Sequence, residues 1–322
     1  MKYLHVVERD GGYASELWDT AVPVPRVGEV LVRVAASGLN RADLSQIAGR
    51  YPPPPGESEI LGLEVSGTIE GSADRVCALL AGGGHAEYVA APQGQVFLAP
   101  PRLDPVAAAG IPEAFLTAFV NLVVEGDLAA GARVLIYAGA SGVGLAAIQV
   151  AKQLGAQVAA TTRTPEKLAA LTAAGADLAI HSGPTVVPEI ELRWGRDAVD
   201  IVLDPIGAPT LPGDLTVLAP GGRIICIATM GGPAAALDLS LLMQKRARLI
   251  GSTLRARSRL EKAALVRRFR EEILPAFQTG ALRVTVDSVL PPTRAADGFQ
   301  RLRDNRSTGK ILIDWRIEAA PV

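Results

Sequence analysis

The chain has 322 residues and a formal net charge of −1 at pH 7, with 49% hydrophobic and 20% charged residues. This composition excludes a disordered chain and predicts one or two folded domains. The near-zero charge argues against a general nucleic-acid or anionic-membrane binder. The two cysteines exclude a disulfide scaffold and a four-cysteine zinc lobe. The first ten residues lack the apolar segment of a secretory signal, so we expect a soluble, cytoplasmic protein.

The N-terminal third is predicted to form a β-rich domain. Glu29–Ala35 has the partial two-residue alternation of a strand. Tyr51–Gly56 contains four consecutive prolines and Ala81–His85 three consecutive glycines, so both are predicted loops. The apolar stretch Val106–Val124 is interrupted by Pro112, Glu113 and Asn121, which predicts a buried helix rather than a membrane span.

From about residue 113, short apolar strands alternate with helices, which predicts a doubly wound parallel sheet. The predicted strands are Arg133–Tyr137, Gln157–Thr161, Asp177–Ile180, Asp200–Leu203, Arg223–Ile227 and Ala247–Gly251. The predicted helices between the first three strands are Val143–Leu154 and Pro165–Ala174. The remaining tail, either an extra domain or a returning half of the first, is predicted to contain helices Ser258–Gln278 and Thr293–Arg303 and strands Leu282–Val289 and Lys310–Asp314.

A glycine-rich turn, Gly139-Ala-Ser-Gly142-Val-Gly144, joins the first of these parallel strands to its helix. This is the setting of a dinucleotide-binding loop, because glycines let the backbone approach a pyrophosphate and the helix N-terminus offers free N–H groups. The alternative is a tight turn with no ligand. Together with the predicted sheet, the loop favours a dinucleotide cofactor.

The end of the next strand indicates which dinucleotide binds. An NAD site usually has an acidic residue there for the ribose 2′-hydroxyl, but this chain has Thr161-Thr-Arg163-Thr164. Arg163 and Lys167 provide cations and the threonines provide hydroxyl donors for a 2′-phosphate. We therefore expect NADP(H). The alternative is that Arg163 and Lys167 are solvated surface charges.

Several ordered motifs resemble a known family. They are Ala35-Ala-Ser-Gly-Leu-Asn-Arg-Ala-Asp43, Tyr51-Pro-Pro-Pro-Pro-Gly56, Ile60-Leu-Gly-Leu-Glu-Val-Ser-Gly67, Ile111-Pro-Glu-Ala-Phe-Leu-Thr-Ala-Phe119, Ala138-Gly-Ala-Ser-Gly-Val-Gly144 and Gly309-Lys-Ile311. The chain resembles, from end to end, the zinc-free quinone oxidoreductases of the medium-chain dehydrogenase/reductase superfamily. Its closest similarity is to the tumour-suppressor-induced quinone oxidoreductase branch, and zeta-crystallin is a more distant relative.

The resemblance implies an α/β protein with a GroES-like β-rich catalytic domain and a doubly wound Rossmann nucleotide-binding domain. The catalytic domain would comprise residues 1–116 and 256–322, and the NADP(H)-binding domain residues 117–255. The active site would be the cleft between the domains. The resemblance also implies a homodimer that pairs through the nucleotide-binding domain.

The resemblance further predicts that no zinc is bound. Zinc alcohol dehydrogenases of the superfamily have a Gly-His-Glu motif where this chain has Gly62-Leu63-Glu64, so the ligand histidine is missing. The spacing of His5, His85 and His181 does not form a ligand set with the cysteines, and each is predicted to be a surface or loop histidine. Without a Lewis acid, alcohol oxidation is disfavoured.

The predicted reaction is therefore hydride transfer from NADPH to a quinone, which is already electrophilic. By resemblance, Asn40 lies beside the nicotinamide, and Tyr51 donates a hydrogen bond to the quinone oxygen. Asp43 is expected to anchor the loop that carries Tyr51. The alternative for Tyr51 is a packing residue and for Asn40 a plain turn residue. Rival functions are a zinc-independent enone or enoyl-thioester reductase and a non-catalytic NADPH-binding protein.

The resemblance and the loop together predict the cofactor contacts. The predicted contacts are Asn40, Thr117, Gly139, Ser141, Gly142, Val143, Thr162, Arg163, Lys167, Ser182, Thr229, Met230, Gly231, Leu254, Arg255 and Lys310. Lys310 either reaches the cofactor or merely begins the last strand. Ser182 is included because His181-Ser182 aligns where the branch usually has a tyrosine for the 2′-phosphate.

Three further features bear on function. The segment Gly67–Arg75 is much shorter than the corresponding family loop. Cys226 lies in an apolar strand and is predicted to be inert core. A basic cluster between Arg255 and Arg270 contains interleaved acidic residues, so it is predicted to be a solvated helix face rather than a nucleic-acid site.

Overall fold

The computed structural model describes residues 1–9 and 11–317. It divides into two compact units. Unit 1 consists of Met1–Leu116 together with the chain from Leu254 onward, and unit 2 consists of Thr117–Thr253. The end of the predicted catalytic domain, residues 318–322, lies outside the described residues.

The strands and helices follow in chain order. The strands are β1 (Lys2–Arg9), β2 (Gly12–Asp19), β3 (Glu29–Gly38), β4 (Glu64–Ile69), β5 (Arg75–Leu79), β6 (Tyr88–Pro92), β7 (Val96–Leu98), β8 (Arg133–Ile136), β9 (Gln157–Thr162), β10 (Leu178–His181), β11 (Val199–Asp204), β12 (Leu218–Cys226), β13 (Arg248–Gly251), β14 (Val286–Leu290) and β15 (Lys310–Asp314). The helices are α1 (Arg41–Ile47), α2 (Pro105–Ala108), α3 (Pro112–Phe119), α4 (Gly142–Gln153), α5 (Leu168–Ala173), α6 (Val186–Trp194), α7 (Leu211–Val217), α8 (Leu239–Lys245), α9 (Arg259–Glu272), α10 (Pro275–Thr279) and α11 (Ala295–Arg303).

Unit 2 is built on a parallel sheet with the strand order β10-β9-β8-β11-β12-β13. The predicted doubly wound sheet is thus confirmed. Val134, Leu135 and Ile136 of β8 are completely buried, as expected for a central strand with helices on both faces. The chain leaves β8 in one direction and returns to its other side with β11. The carboxyl ends of β8 and β11 therefore form the topological switch point where such sheets bind ligands.

Unit 1 contains the β1-β2 hairpin and a larger, mostly antiparallel sheet to which the C-terminal tail adds the parallel pair β14 and β15. The strand order of the larger sheet is β14-β15-β3-β4-β5-β7, and β6 also pairs with β3. Strand β15 runs antiparallel to β3, with Leu312 opposite Gly38. The tail is therefore the returning half of the N-terminal domain rather than an extra domain. Its apolar residues Ile311, Leu312 and Ile313 are buried in the sheet core.

Two predicted helices are interrupted at prolines. The stretch predicted as one helix from Val106 to Val124 forms α2, then α3 beginning at Pro112, then a π-helical segment Val120–Glu125. The predicted helix Ser258–Gln278 similarly divides into α9 and α10, and α10 begins at Pro275. Proline has no N–H to continue a helix but is well suited to begin one.

One described stretch is long and apolar enough to cross a membrane, judged by length and composition only. It is Pro105–Glu125, and 78% of its most apolar window is buried within the protein. Such burial is typical of a core helix.

Candidate functional site

The glycine loop of unit 2 lies at the switch point of the parallel sheet, directly after β8. The Gly139 N–H donates to the Thr161 carbonyl of β9 at 2.7 Å, which fixes the loop to the sheet. Ser141 is the N-cap of α4, and its hydroxyl accepts a hydrogen bond from the Gly144 N–H at 3.0 Å. Ala138 has a φ of +50°, a conformation that costs energy for a residue with a Cβ.

The loop requires small residues because backbone packs directly on backbone. A Cβ added to Gly144 would lie 2.4 Å from the Ala138 carbonyl oxygen and 2.6 Å from that of Gly139. At Gly139, the added Cβ would be 3.1 Å from the Ala160 Cβ. Gly142 and Val143 form the first turn of α4, whose N-terminal N–H groups and dipole favour an anion. These features fit a pyrophosphate-binding loop.

The predicted 2′-phosphate region lies at the end of β9. Arg163 is exposed, which is compatible both with a ligand of the 2′-phosphate and with a solvated surface charge. Lys167, by contrast, is only 8% exposed. Lys167 is thus not a solvated surface charge. The Ser182 hydroxyl donates to the Thr161 hydroxyl at 3.1 Å, and the Ser182 N–H donates to the Thr162 carbonyl at 2.8 Å. The structure brings the residues predicted to read the 2′-position to adjacent ends of β9 and β10.

The segment after β12 forms a turn at the same edge of the sheet. The Met230 N–H donates to the Pro205 carbonyl at 3.1 Å, and the Gly231 N–H donates to the Ile206 carbonyl at 2.8 Å. Thr229 and Met230 are exposed. Thr117, at the start of unit 2, is half-buried in α3. The nicotinamide contacts of these residues stay predictions.

Unit 1 contains a buried ion pair that the sequence analysis did not predict. Glu64 and Lys310 are 0% and 5% exposed at their side chains, and Lys310 Nζ lies 2.5 Å from Glu64 Oε1. The Asn40 amide nitrogen also donates to Glu64 Oε1, at 3.0 Å, and the Glu113 N–H donates to Glu64 Oε2 at 2.8 Å. Donors from three elements, β15, α3 and the loop before α1, thus converge on the Glu64 carboxylate of β4.

These contacts change the interpretation of Lys310 and Asn40. Lys310 Nζ donates to the Asn40 side-chain oxygen at 2.7 Å and to the Leu39 carbonyl at 2.9 Å, in addition to its contact with Glu64. Its three N–H donors are therefore engaged within unit 1, which argues against the predicted cofactor contact. Asn40 is more than a plain turn residue, because both ends of its amide are bonded.

Asp43 does not anchor the proline loop as predicted. One of its carboxylate oxygens accepts from the Asn40 N–H at 2.7 Å, and the other accepts from the Gly62 N–H at 3.2 Å. His85 Nε2 lies 3.6 Å from Asp43, and His85 Nδ1 is 2.8 Å from the Ser37 hydroxyl. His85 lies in the loop between β5 and β6, so the loop alternative of the prediction is confirmed, but this loop histidine is completely buried. Apart from the neighbouring glycines, no local signal indicated this burial.

The loop that carries Tyr51 is held by Arg255. The guanidinium donates to the Tyr51 carbonyl at 3.0 Å, to the Ala81 carbonyl at 2.7 Å and to the Gln46 side chain at 2.7 Å. Its central carbon lies 5.2 Å from the centre of the Tyr51 ring, a cation–π distance. The structure thus places Leu254 and Arg255 in unit 1 rather than in the nucleotide-binding domain, and gives Arg255 a positioning role.

Burial also corrects the interpretation of the basic cluster. Arg255 and Lys262 are 3% and 2% exposed, whereas Arg267 and Arg270 are exposed. Lys262 Nζ donates to the Arg255 carbonyl at 3.2 Å. The cluster is therefore a solvated face only in part, since Arg255 and Lys262 are buried cations inside unit 1.

Comparison with known proteins now identifies the family. The sequence matches "Alcohol dehydrogenase GroES-like domain" over residues 26–101 and "Zinc-binding dehydrogenase" over residues 142–269. The solved structure of the quinone oxidoreductase from Thermus thermophilus, studied also in complex with NADPH, is 36% identical and has a TM-score of 0.82. That match covers 98% of this chain and 100% of that one.

The chain belongs to the medium-chain dehydrogenase/reductase superfamily. It is also 28% identical to the human quinone oxidoreductase, over 92% of each protein. A polyketide synthase system protein from Streptomyces orinoci is 32% identical over 89% of this chain. The matched segment is 13% of that protein's length. This medium-chain dehydrogenase/reductase is thus an oxidoreductase that binds a nicotinamide cofactor.

The residues of this medium-chain dehydrogenase/reductase do not fit a bound zinc. Among residues 1–9 and 11–317, no three His, Cys, Asp or Glu side chains are grouped so that they could hold a metal ion. The thiols are also unsuited to metal binding, since burial raises the pKa of Cys226 to about 11 and also raises that of Cys77. Cys226 is half-buried rather than fully in the core, and its inert role stays a prediction.

Two carboxyl groups of unit 2 were also missed by the sequence analysis. Asp204 ends β11 at the switch point, and its carboxylate accepts hydrogen bonds from the Ile206 N–H at 2.6 Å and the Thr210 hydroxyl at 2.8 Å. Asp214 is completely buried against Tyr137 and Asp204, and burial raises its pKa well above the usual value. This network fixes the turn beside the glycine loop. The feature of the sequence that could have indicated this buried network is the aspartate Asp214 within the apolar helix α7.

Proposed function

We propose that this medium-chain dehydrogenase/reductase is an NADPH:quinone oxidoreductase that transfers a hydride directly, without zinc. The observation that carries the proposal is the full-length similarity, at 36% identity, to a quinone oxidoreductase studied with NADPH. The lack of a grouped metal-ligand set in the described chain supports the zinc-free reaction. A quinone suits such a site because it accepts a hydride without a Lewis acid to activate it.

When bound, NADPH would supply the hydride, and unit 2 would supply its binding groups. We assign the pyrophosphate to the loop Gly139–Gly144 and the first turn of α4, where N–H groups and the helix dipole favour negative charge. We assign the 2′-phosphate to Arg163, with Lys167 and the hydroxyls of Thr162 and Ser182 beside it. Guanidinium and ammonium groups form strong charge-assisted hydrogen bonds with phosphate.

In unit 1, Tyr51 is the proposed hydrogen-bond donor to the substrate. Burial raises the pKa of its phenol, and Glu113 raises it further against the opposing effect of Arg255. The phenol therefore keeps its proton at neutral pH and can donate a hydrogen bond to a quinone oxygen as negative charge develops there. Arg255 holds the Tyr51 backbone, which limits the conformations of the loop.

The direct test follows NADPH oxidation by absorbance with 1,2- and 1,4-quinones in the presence of excess chelator. NADH and a simple enone are measured alongside. We expect turnover of quinones with NADPH that chelator does not change. Inhibition by chelator would contradict the zinc-free reaction, and NADPH binding without turnover of any acceptor would favour a cofactor-binding protein.

A second candidate function is the reduction of an enone or enoyl thioester. It is favoured by the 32% identity to a segment of a polyketide synthase system protein. Such a reaction needs a proton donor for the α-carbon as well as the hydride. Turnover of the enone, but not of quinones, would assign this function instead.

The 2′-phosphate assignment predicts the effect of Arg163→Ala. We expect the Kd for NADPH to rise about 10- to 100-fold, since a charge-assisted hydrogen bond contributes about 1.5–3 kcal/mol. The Kd for NADH should change less than about twofold by the same reasoning, because NADH has no 2′-phosphate. Fluorescence titration measures both constants. Arg196→Ala, at an exposed arginine on unit 2, is the matched control. Equal losses for both cofactors would refute the assignment.

The role of Tyr51 predicts the effect of Tyr51→Phe. We expect kcat/KM for quinones to fall about 10- to 100-fold while the Kd for NADPH is unchanged, because only a donor to the developing oxyanion is lost. Steady-state kinetics with a cofactor titration measures both. Tyr88→Phe is the control for loss of a hydroxyl in the same unit. Unchanged kcat/KM would leave Tyr51 as a packing residue.

A homodimer that pairs through the nucleotide-binding domain, a cytoplasmic location, and the lack of membrane or nucleic-acid partners stay predictions.

A further inference from the structure

Two glutamates of unit 1 lie side by side in contrasting surroundings. Glu64 is fully buried, and its carboxylate is paired with Lys310 and bonded to Asn40. The Glu113 N–H also donates to Glu64, which fixes the two residues next to each other. By contrast, no hydrogen bond or ion pair engages the Glu113 carboxyl within the described chain, and Glu113 keeps part of its surface accessible.

The surroundings of Glu113 favour its neutral form. Burial is the main cause and the neighbouring charge of Glu64 the second, and together they raise the pKa of Glu113 to about 8. The charged and titratable groups that act on it are Glu64 on β4, Lys310 on β15, Asp43 on α1, Lys262 on α9, Tyr51 in the proline loop and Arg255.

Glu113 also acts electrostatically on Tyr51, the proposed hydrogen-bond donor to the substrate. Glu113 and Tyr51 interact electrostatically, and both interact with the guanidinium of Arg255. Arg255 donates to the Tyr51 carbonyl, the Ala81 carbonyl and Gln46, and these hydrogen bonds tie the loop of Tyr51 to two other segments of unit 1. Half-buried Glu113 therefore belongs to the same cluster of charged and titratable groups as Tyr51 and Arg255.

We propose that Glu113 is a catalytic acid that gives a proton to the quinone as it is reduced, with Glu64 and Lys310 holding it in place. This inference rests on the proposed function. The quinone receives a hydride with its electron pair from NADPH, which becomes NADP⁺. In the same transition state the O–H bond of Glu113 breaks as a new O–H bond forms on the quinone oxygen that gains negative charge, and the neutral hydroquinone results. The Glu113 carboxylate regains a proton from solvent.

The first test is the pH dependence of the wild-type protein. The acid acts in its protonated form, so kcat/KM for a quinone should be constant below the pKa of Glu113 and should fall about tenfold for each pH unit above about 8. A slower reaction in D₂O below pH 8 is expected as well. A flat profile across the pKa, with no effect of D₂O, would overturn the proposal.

The second test is Glu113→Gln, which keeps the size of the side chain and removes the proton. We expect kcat/KM at pH 7 to fall about 100-fold, the scale of general acid catalysis, and the decline above pH 8 to disappear. The Kd for NADPH should not change. Glu113→Asp should recover part of the rate and the pH dependence. Glu70→Gln, at an exposed carboxyl of the same unit, is the control that should retain the full rate.

The outcomes separate this proposal from the proposed function. Quinone turnover by the wild-type protein, with Glu113→Gln unchanged in rate and pH profile, would overturn the proposal alone. Failure of the wild-type protein to reduce any quinone at any pH would overturn the proposed function and the proposal with it.

Discussion

Lys310→Met is expected to lower the free energy of unfolding by about 3–5 kcal/mol, because it leaves the Glu64 carboxylate buried without its cation. Glu64 is completely buried, and the ammonium of Lys310 is 2.5 Å from it. The remaining partners of Glu64, the Asn40 amide and the Glu113 N–H, are neutral donors and do not balance the charge. The loss arises in unit 1, which contains both members of the pair.

Urea unfolding, followed by the fluorescence of Trp315 in a background that carries Trp18→Phe and Trp194→Phe, measures this effect. Trp315 reports on the same unit, since its indole N–H donates to the Ser37 hydroxyl at 3.0 Å. The double variant Glu64→Gln with Lys310→Met removes both charges and should recover much of the loss. Lys2→Met, at an ion pair with Asp19 that is largely exposed, should cost less than about 1 kcal/mol. A cost below about 1 kcal/mol for Lys310→Met would contradict the role of the pair.

Gly144→Ala is expected to raise the Kd for NADPH about 100-fold, because displacement of binding groups by about 1 Å is enough for losses of this size. The new Cβ would lie 2.4 Å from the Ala138 carbonyl oxygen, so either the loop or the first turn of α4 must move by a sizeable fraction of an ångström. The obstacle is backbone rather than a flexible side chain, so no change of rotamer relieves it.

Fluorescence titration with NADPH measures the loss, and circular dichroism shows whether the sheet of unit 2 is retained. Gly251→Ala, where nothing lies within 4 Å of the added Cβ, is the matched control and should bind as the wild type does. A Kd within twofold of wild type for Gly144→Ala would show that the loop does not hold the pyrophosphate.

The elements of unit 2 were predictable because each depends on local sequence. The run Arg133–Tyr137 is apolar at nearly every position, as a strand buried on both faces must be. The glycine loop follows it at once, and Gly175 ends the next helical stretch. Prolines made the predicted helix boundaries less accurate, since Pro112 and Pro275 begin new helices inside stretches predicted to be continuous. Hydrophobic periodicity does not reveal such a break.

The site in unit 1 was predictable only in part. The motifs located Tyr51, Asn40 and Asp43, but the partners of these residues come from distant segments. Arg255 follows Tyr51 by 204 positions in the chain, and Lys310 follows Asn40 by 270. The prediction that Asp43 anchors the proline loop failed for this reason, because Arg255 supplies that anchor and Asp43 bonds Gly62 instead.

The sequence alone determined the fold class, the glycine loop and the superfamily, because strand and helix periodicity, small residues at close backbone contacts and ordered motifs are local properties. Only the tertiary structure decided which charges are buried and with whom they pair. His85, Lys262 and Glu113 resemble ordinary polar residues in the sequence. Their exposure, and with it the raised pKa of Glu113, depends on the desolvation and neighbouring charges that distant elements bring together.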